Sequence, residues 1–232
     1  FWASFDHTIE PEQRGSLRYV VHESEQVPRA AIGMYQQTNC ALATPSFWNA
    51  QVLSRSGWRG PIYVVPHGIS SQFSFSPIKA DPFVFGCVVR YGSTAARRKN
   101  ITELIRNFQA AFPHTHDQSI QLWIKSFPDD YVIQTNGDSR IRVIREYWSQ
   151  ETYINWLRQI TVYVNNSAGE GWCMPIHEAL AIGRPVITPF HGGITEYVTQ
   201  ACAYFVPYRR IRAISGFYAR QTMIEPKSGY MI

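Results

Sequence analysis

The sequence predicts an α/β protein built on parallel, Rossmann-like sheets. Strand-like and helix-like segments alternate along most of its 232 residues, and this order is typical of βαβ units. The run 83–89 is continuously apolar, as in strands buried on both faces of a parallel sheet. Before it, residues 66–82 are rich in proline and serine, which indicates a linker. We therefore expect a first domain over 1–65, a linker over 66–82 and a second domain over 83–232.

In the first domain, short β-rich runs flank segments whose apolar residues have helical spacing. The predicted strands are 17–21, 41–44 and 61–65, and the first predicted helix is 26–37. Pro45 and Ser46 are typical of a helix start, and Gly57 ends this second helix.

In the second domain, the helix after the first strand has the clearest signals. Asn100 is its predicted N-cap, with Glu103 three residues later. Its apolar residues share one face: Ile101, Leu104, Ile105, Phe108 and Phe112. Further strands are predicted at 120–124, 141–144 and 161–164, with a helix at 150–160. Beyond Val206 the pattern assigns no element.

Composition and charge exclude several classes of protein. Apolar residues make up 45% of the chain and aromatic residues 14%, which supports a sizeable core and argues against disorder. The net charge of +5 suits an anionic ligand, but no basic run points to nucleic acid. No apolar run approaches the roughly 20 residues of a membrane span. We expect no nucleic-acid partner and no transmembrane segment, while peripheral membrane contact stays open.

The four cysteines are widely separated and form no Cys-x-x-Cys pair: Cys40, Cys87, Cys173 and Cys202. Three lie in or beside apolar strand-like runs, so we expect buried free thiols and a cytoplasmic location. The chain begins at Phe1 and shows no signal sequence, and we expect it to be part of a longer protein or to have unseen segments.

One segment, 165–187, carries the most specific pattern. It reads as a strand end, a glycine-bounded loop, a short helix and a second strand. Pro175 suits a first helical turn, and Gly183 suits a helix end. Glu178 is assigned to the first turn, where the helix dipole stabilises a carboxylate, whereas Glu170 lies in the loop without such an explanation. The pattern Glu-Gly-x-x-x-Pro-x-x-Glu-Ala, followed by Gly-x-Pro-Val-Ile, is too long to arise readily by chance.

This segment resembles the donor-sugar motif of retaining glycosyltransferases of the GT-B fold, closest to glycosyltransferase family 4. The family typically has Glu-Gly-Phe-Gly-x-Pro-x-x-Glu-Ala here, whereas this sequence has Trp172 and Cys173 at the aromatic and second glycine positions. Residues 66–70 (Pro-His-Gly-Ile-Ser) resemble the segment before the family's interdomain crossover. The resemblance implies a GT-B fold: two Rossmann-like domains, each a parallel sheet with helices on both faces, of which the first, acceptor-side domain is incomplete here.

Basic residues flank the same region. Arg90 follows a strand, and Arg97, Arg98 and Lys99 precede a helix N-terminus, so their charges can converge on an anion in the crevice of an α/β sheet. Arg97 and Arg98 could equally form a solvated surface run. For Arg90 and Lys99, the resemblance implies that they bind the donor diphosphate and stabilise the leaving group.

The same resemblance assigns the remaining site residues. Glu170 would hydrogen-bond hydroxyls of the donor hexose and Glu178 those of the nucleotide ribose, since a carboxylate accepts two hydroxyl donors in fixed geometry. Gly192 and Gly193 would donate backbone N–H groups to the diphosphate. The predicted donor-binding set is completed by Gly171 and Ile194. On residue chemistry alone, the two glutamates could also be the acid/base pair of a glycoside hydrolase.

The implied function is transfer of a hexose from a nucleotide diphosphate sugar to a glycan, lipid or other acceptor, with retention of anomeric configuration. The resemblance assigns catalysis to Arg90, Lys99 and Glu170 and implies no metal and no other cofactor. The close acidic pair Asp129 and Asp130 lacks the Asp-x-Asp spacing of a metal-dependent enzyme. Two alternatives stay open: a non-catalytic domain that binds nucleotide sugars or carbohydrates, and a sugar-phosphate epimerase or phosphorylase on the same architecture.

Some aromatic and histidine side chains are weaker candidates. His177 is interpreted as a packing or capping residue and Trp172 as packing beneath the loop, although an aromatic ring can also bind a sugar. His22 resembles, by its position after the first strand, a histidine that members of the family place facing the acceptor cleft; a surface histidine is the alternative. His114 and His116 form a His-x-His pair, but no carboxylate or cysteine cluster accompanies them, which disfavours a metal.

Overall fold

The computed structural model of the chain describes residues 16–38, 40–92, 98–212 and 222–226. Its N-terminal unit, residues 16–64, contains a three-stranded parallel sheet in the order β1-β2-β3. The strands are β1 (Leu17–Tyr19), β2 (Ala41–Thr44) and β3 (Ile62–Val64), and the helices are α1 (Arg29–Gln37) and α2 (Phe47–Arg55). The predicted alternation of strands and helices in this unit is confirmed.

Helix α2 begins after Ser46, as predicted. The Ser46 backbone is extended, and its Oγ accepts a hydrogen bond from the Asn49 N–H at 3.1 Å. This bond satisfies one of the donors that the first helical turn leaves open. Val52 and Leu53 bury the apolar side of α2 in a core shared with Leu42. The side chains of Ser46 and Asn49 also donate hydrogen bonds to Gly171, in the C-terminal part of the chain.

The C-terminal unit contains a six-stranded parallel sheet in the order β6-β5-β4-β7-β8-β9. Its strands are β4 (Phe83–Val88), β5 (Ile120–Ser126), β6 (Ile141–Arg145), β7 (Val162–Val164), β8 (Val186–Pro189) and β9 (Ala203–Val206). Its α-helices are α3 (Ile101–Ala111), α4 (Gln150–Leu157) and α5 (Met174–Ile182). The strand order reverses between β4 and β7, as in doubly wound folds.

Alternate residues of β4 pack on opposite faces of this sheet, because successive side chains of a strand point to opposite sides. Phe85 and Cys87 join the core cluster that contains α3, and Val84 joins the cluster that contains α4 and α5. The inner residues of β4 are all buried, which confirms the predicted burial on both faces. Helices therefore cover both faces of the sheet, and the predicted Rossmann-like α/β class is confirmed.

The start of α3 differs from the prediction. Its apolar stripe is buried as expected, but Asn100 makes no side-chain cap hydrogen bond. Instead its backbone lies in the left-handed region, with φ 52°. Asparagine suits this position because it tolerates positive φ better than most residues do. Asn100 therefore occupies the N-cap position as predicted, but the predicted side-chain cap is wrong.

One prediction along the motif segment is also corrected. Glu178 lies in the second turn of α5, because the helix begins at Met174, so the helix dipole does not account for it. After β8, residues Gly192–Glu196 form a 3₁₀ helix. Pro175 in the first turn and Gly183 at the C-cap, with φ 89°, lie where they were predicted.

The segment between the two sheets packs on the C-terminal unit. Phe73 is buried in the core beside α4 and α5, and the Ser76 N–H donates to the Ile182 carbonyl at 3.0 Å. The fully buried Arg184 guanidinium donates to the carbonyls of Ser76 and Leu157 at 2.6 and 3.2 Å. These bonds anchor the linker to the α5 side of the sheet.

After β9, the strands β10 (Tyr208–Arg212) and β11 (Thr222–Pro226) pair antiparallel, an element that the sequence pattern did not predict. The four cysteines are free, and Cys40, Cys87 and Cys173 are buried, as expected. In the described parts of the chain, no helix combines the length and the apolar character that crossing a membrane requires.

Candidate functional site

The loops after β4 and β7 meet where the strand order reverses, and ligands of doubly wound sheets bind at this point. The loop after β7 carries Glu170, and the residues before α3 include Arg98 and Lys99. Lys99 Nζ lies 2.5 Å from Glu170 Oε1, and Arg98 Nη1 lies 3.2 Å from the same oxygen. The fold thus joins one carboxylate and two cations, a set that we call the Glu170 cluster.

The Glu170 cluster is largely buried, with side-chain exposures of 8% for Glu170, 11% for Lys99 and 4% for Arg98. Burial alone would raise the pKa of Glu170, but the charges of Lys99 and Arg98 outweigh burial, and the pKa lies below its ordinary value. Glu170 is therefore ionised at neutral pH. The alternative that Arg98 belongs to a solvated surface run is wrong, and Arg97 lies outside the described residues.

The N-terminal unit touches this cluster and the residue that follows Glu170. Arg98 Nη2 lies 2.7 Å from Glu23 Oε1. Asn49 Nδ2 donates to the Gly171 carbonyl at 2.8 Å, and the Ser46 hydroxyl donates to the same oxygen at 3.1 Å. A Cβ at Gly171 would lie 2.5 Å from the backbone oxygen of residue 22, so only glycine fits here. Gly171 therefore serves close packing between the two units.

Gly192 and Gly193 pack against the Glu170 loop itself. A Cβ on Gly192 would lie 2.2 Å from the Glu170 carbonyl oxygen, and one on Gly193 would lie 1.8 Å from the Gly171 carbonyl oxygen. In this structure the Gly193 N–H donates to the Glu170 carbonyl at 2.9 Å, and its predicted hydrogen bond to the diphosphate stays a prediction. Ile194 is 1% exposed and belongs to the core beside α5, so its side chain is shielded from any ligand.

Glu178 is partly buried on α5, and its Oε2 accepts a hydrogen bond from the Tyr153 hydroxyl at 2.8 Å. Burial raises the pKa of Glu178, and the Tyr153 bond offsets this effect only in part. The Tyr197 phenol lies within electrostatic reach of both Glu170 and Glu178. The pKa values of the two motif carboxylates are thus shifted in opposite directions, downward for Glu170 and upward for Glu178.

Arg90 is not part of the Glu170 cluster in this structure. Its guanidinium makes a two-point ion pair with Asp129 and lies 4.7 Å from the centroid of the Phe127 ring. Arg90 Nε also lies 3.5 Å from Asp130 Oδ1. The hydrogen bond with Asp129 raises the pKa of Arg90, and the same bond lowers the pKa of Asp129 to about 2. The charge of Arg90 is thus matched by neighbouring carboxylates at the end of β5.

Two of the four candidate histidines pack against other side chains, and the other two lie in an exposed loop. His22 is 4% exposed, and burial lowers its pKa to about 4, so the alternative of a surface histidine is wrong. His177 packs as predicted, with its ring centroid 5.0 Å from that of Tyr197 and its Nδ1 3.3 Å from Nε1 of the buried Trp172. His114 and His116 lie in an exposed loop. Within the described ranges, no three His, Cys, Asp or Glu side chains are grouped so that they could hold a metal.

Sequence reasoning missed the second role of Ser46 and the roles of Asn49 and Tyr153. Ser46 was predicted only as a helix cap, because its contact with Gly171 depends on the neighbouring unit. Asn49 is 0% exposed, and a polar residue on the buried side of a helix was the signal that could have drawn attention to it. Tyr153 has no such signal, since a tyrosine in an amphipathic helix is ordinary.

The doubly wound parallel sheet, with an ion cluster at the point where its strand order reverses, places this unit in the class of Rossmann-like α/β units. A family model described as Glycosyl transferases group 1 matches residues 82–215, more than half of the chain. The chain therefore belongs to the family of group 1 glycosyl transferases, and the resemblance seen in the motif is confirmed. No curated protein matches the chain in sequence.

Solved structures share the fold. The sucrose-phosphate synthase of Thermosynechococcus elongatus is 18% identical, with a TM-score of 0.65 over 82% of this chain and 54% of that one. A mutant of S. aureus TarM, in complex with Fondaparinux, alpha-GlcNAc-glycerol and UDP, is 13% identical, with a TM-score of 0.65 over 84% and 41%. The pneumococcal O-GlcNAc transferase GtfA, in complex with UDP and GlcNAc, is 16% identical, with a TM-score of 0.60 over 82% and 41%.

At these identities the likeness establishes the GT-B fold alone. The chain spans 54% of the length of the synthase and 41% of the length of each of the other two.

Proposed function

We propose that this chain carries the donor-binding part of a retaining glycosyltransferase, which moves a hexose from a nucleotide diphosphate sugar to a carbohydrate or glycoconjugate acceptor. The observation that carries the proposal is the Glu170 cluster at the switch point between β4 and β7. Family membership supports glycosyl transfer as the reaction class. The C-terminal unit would bind the donor, and the N-terminal unit would belong to the acceptor-side domain, with the linker over 66–82 between them.

The reaction needs charge stabilisation more than it needs a nucleophile. The bond between the anomeric carbon and the donor diphosphate breaks, and the diphosphate leaves with the electron pair. The acceptor hydroxyl oxygen bonds to the anomeric carbon on the same face, and its proton passes to the departing phosphate oxygen. The charge that develops on the diphosphate is stabilised by cations and N–H donors.

Lys99 suits this task. Its ammonium group has three N–H donors, and among the described residues it donates to Glu170, so two donors remain there for phosphate oxygens. Arg98 is more enclosed, and it donates to the Gly169 carbonyl at 2.7 Å as well as to Glu170. We therefore assign to Arg98 the orientation of the Glu170 loop, and to Lys99 the contact with the leaving group. Since these cations carry the charge, the proposal requires no metal and no cofactor.

The remaining roles follow from the state of each group. The ionised Glu170 would accept hydroxyls of the hexose, and Glu178 would accept hydroxyls of the ribose. Gly192, at φ 77°, lets the backbone pass close to the Glu170 loop, so that its segment forms one wall of the donor site. Arg90 would add its charge after exchanging Asp129 for a phosphate.

Calorimetric titration of the chain with UDP, GDP, ADP and their hexose conjugates tests the donor site. We expect one base to bind, and we expect Lys99→Met and Glu178→Ala to weaken binding about tenfold or more, since each removes a charge-assisted hydrogen bond. Arg106→Met, on the exposed side of α3, is the matched control and should bind as the unmutated chain does. A chelator should change nothing. The proposal is wrong if none of these ligands binds.

The ion pair between Arg90 and Asp129 favours one alternative, a domain that binds nucleotide sugars or carbohydrates without catalysis, because this cation is already matched. Release of free nucleoside diphosphate from the bound donor separates the two functions. We expect release by the unmutated chain and its loss in Glu170→Ala. The anomeric configuration of the first sugar product, read by proton NMR, tests retention.

A further inference from the structure

We propose that Tyr153 is a positioning residue for the donor nucleotide, whose hydroxyl orients the Glu178 carboxylate so that the site selects ribonucleotides over deoxyribonucleotides. This inference rests on the proposed function, in which Glu178 binds the ribose. Tyr153 lies on α4, a helix that no sequence motif connects with the site.

The contact between the two side chains is direct. The Tyr153 hydroxyl donates to Glu178 Oε2 at 2.8 Å. Burial raises the pKa of Tyr153 well above its ordinary value, so the hydroxyl keeps its proton at neutral pH and stays a donor. Among the residues that the structure describes, no group donates to Glu178 Oε1. One oxygen of the carboxylate is thus held, and the other is left for a ligand hydroxyl.

The Tyr153 ring is itself held in place. It stacks on Trp156 with ring centroids 6.2 Å apart and planes 19° apart, and Phe73 of the linker meets it edge-on at 6.2 Å. The start of α4 is fixed by Ser149, whose Oγ accepts the Thr152 N–H at 3.1 Å. These contacts therefore fix the ring that carries the hydroxyl beside Glu178.

An oriented carboxylate discriminates between ligands better than a mobile one does. When a partly buried acceptor is held in place for a substrate hydroxyl, an analogue without that hydroxyl leaves the acceptor unpaired, which is unfavourable. A carboxylate that can turn away finds another partner or water, and the penalty is lost. The Tyr153 hydroxyl prevents this turn, so it should set the preference for ribose.

The surroundings of the pair are uncharged at neutral pH. In the described residues, the titratable groups within electrostatic reach of Tyr153 and Glu178 are two phenols and two thiols, those of Tyr163, Tyr197, Cys87 and Cys173. Burial raises the pKa of each of them. The Tyr153 bond lowers the pKa of Glu178 against the effect of burial. Removal of the hydroxyl should therefore move the loss of ribose binding on acidification to a higher pH.

The test compares Tyr153→Phe with Tyr163→Phe. Tyr163 is buried in the same core, but its hydroxyl oxygen accepts the Val88 N–H at 3.2 Å and does not touch Glu178. Calorimetry measures the affinity of each chain for UDP, GDP and ADP and for their 2′-deoxy and 3′-deoxy counterparts, at neutral and mildly acidic pH. We expect the unmutated chain to prefer the ribonucleotide about tenfold or more. Tyr153→Phe should lose most of this preference and show the shifted pH midpoint, whereas Tyr163→Phe should keep both properties.

Other results would overturn the inference. If Tyr153→Phe weakens ribonucleotides and deoxyribonucleotides equally, with an unchanged pH midpoint, Tyr153 has only a structural role. If the unmutated chain binds nucleotides without preferring ribose, this inference is wrong while the proposed function stands. If the unmutated chain binds no nucleoside diphosphate, both are wrong.

Discussion

At the scale of single residues, Glu170 keeps a negative charge in a buried loop because two cations reach one of its oxygens. When one partner of such a pair is removed alone, the other is left as an uncompensated charge, and this costs more than the pair itself contributes. The loop and the start of α3 are therefore coupled energetically.

We expect Lys99→Met and Glu170→Gln each to lower the free energy of unfolding by about 1–3 kcal/mol, and the double variant to lower it by less than the sum. Urea unfolding of the four proteins measures this coupling. The exposed pair of Arg106 and Glu103, 3.4 Å apart on α3, is the control, and its coupling should stay below about 0.5 kcal/mol. Additive losses at Lys99 and Glu170 would contradict the account.

His22 predicts a pH dependence of stability. Burial lowers its pKa from 6.5 to about 4, so between these values the unfolded chain binds more protons than the folded one. The contribution of neutral His22 to the free energy of unfolding is complete above pH 6.5. As the pH falls toward 4, this contribution is lost, and the loss reaches about 3 kcal/mol. His22→Gln should therefore flatten the fall in stability over this range, as measured by urea unfolding at several pH values. An unchanged slope in His22→Gln would count against burial as the cause.

At the scale of elements, helix starts set the positions of the site residues. Helix α3 begins at the residue after Asn100, which has a positive φ. This backbone conformation turns the chain ahead of the helix, so that Arg98 and Lys99 lie beside the loop after β7. The Asn100 carbonyl accepts hydrogen bonds from the Leu104 N–H and from Asn166 Nδ2. The conformation of this one residue thus joins the helix to the site.

Substitutions at Asn100 distinguish a backbone role from a side-chain cap. Because glycine has no Cβ to strain the left-handed conformation, Asn100→Gly should leave the free energy of unfolding within about 0.5 kcal/mol. Asn100→Ser should lower it by about 1 kcal/mol, since serine caps helices well but fits positive φ poorly. Thermal and urea unfolding measure both changes. The same two substitutions at Asn136, which has φ 54° outside any helix, are the matched control. If Asn100→Ser leaves the free energy of unfolding unchanged, the capping hypothesis is restored.

At the scale of the whole molecule, the N-terminal unit completes the surroundings of the candidate site. Asn49 bonds the Gly171 carbonyl and the His22 N–H, at 2.8 and 2.7 Å. In the opposite direction, Glu196 of the 3₁₀ helix accepts the Trp48 N–H at 2.8 Å, at the start of α2. The two units are therefore joined at the Glu170 loop, so the order of this loop depends on both.

We expect Asn49→Ala to lower the free energy of unfolding by about 1–3 kcal/mol, because it removes the side-chain acceptor of the buried His22 N–H and one of the two donors to the Gly171 carbonyl. Hydrogen exchange should show faster exchange in the Glu170 loop, while the strands of the six-stranded sheet stay protected. Asn155→Ala, on the exposed side of α4, is the control and should change neither quantity. Unchanged exchange in the loop would show that the N-terminal unit does not order it.

Much of the architecture could be predicted from the sequence. The apolar run of β4, the stripe of α3 and the proline and glycine that bound α5 are local signals, and each element lies where it was expected. The antiparallel pair β10 and β11 was not predicted, since pairing between separate segments leaves little trace in periodicity. The helix start at Asn100 was predicted for the wrong reason, because capping and left-handed turns favour the same residue type.

The sequence by itself determined the class of fold, the order of the elements and the motif that places the chain among the glycosyl transferases, because these depend on residues close together along the chain. Only the tertiary structure decided which charges meet. It paired Glu170 with Lys99, 71 positions away, set Arg90 against Asp129, 39 positions away, and brought Asn49 to Gly171 across 122 positions. The physical reason is that such contacts depend on crossovers and on how two sheets pack, and short-range propensities do not encode either.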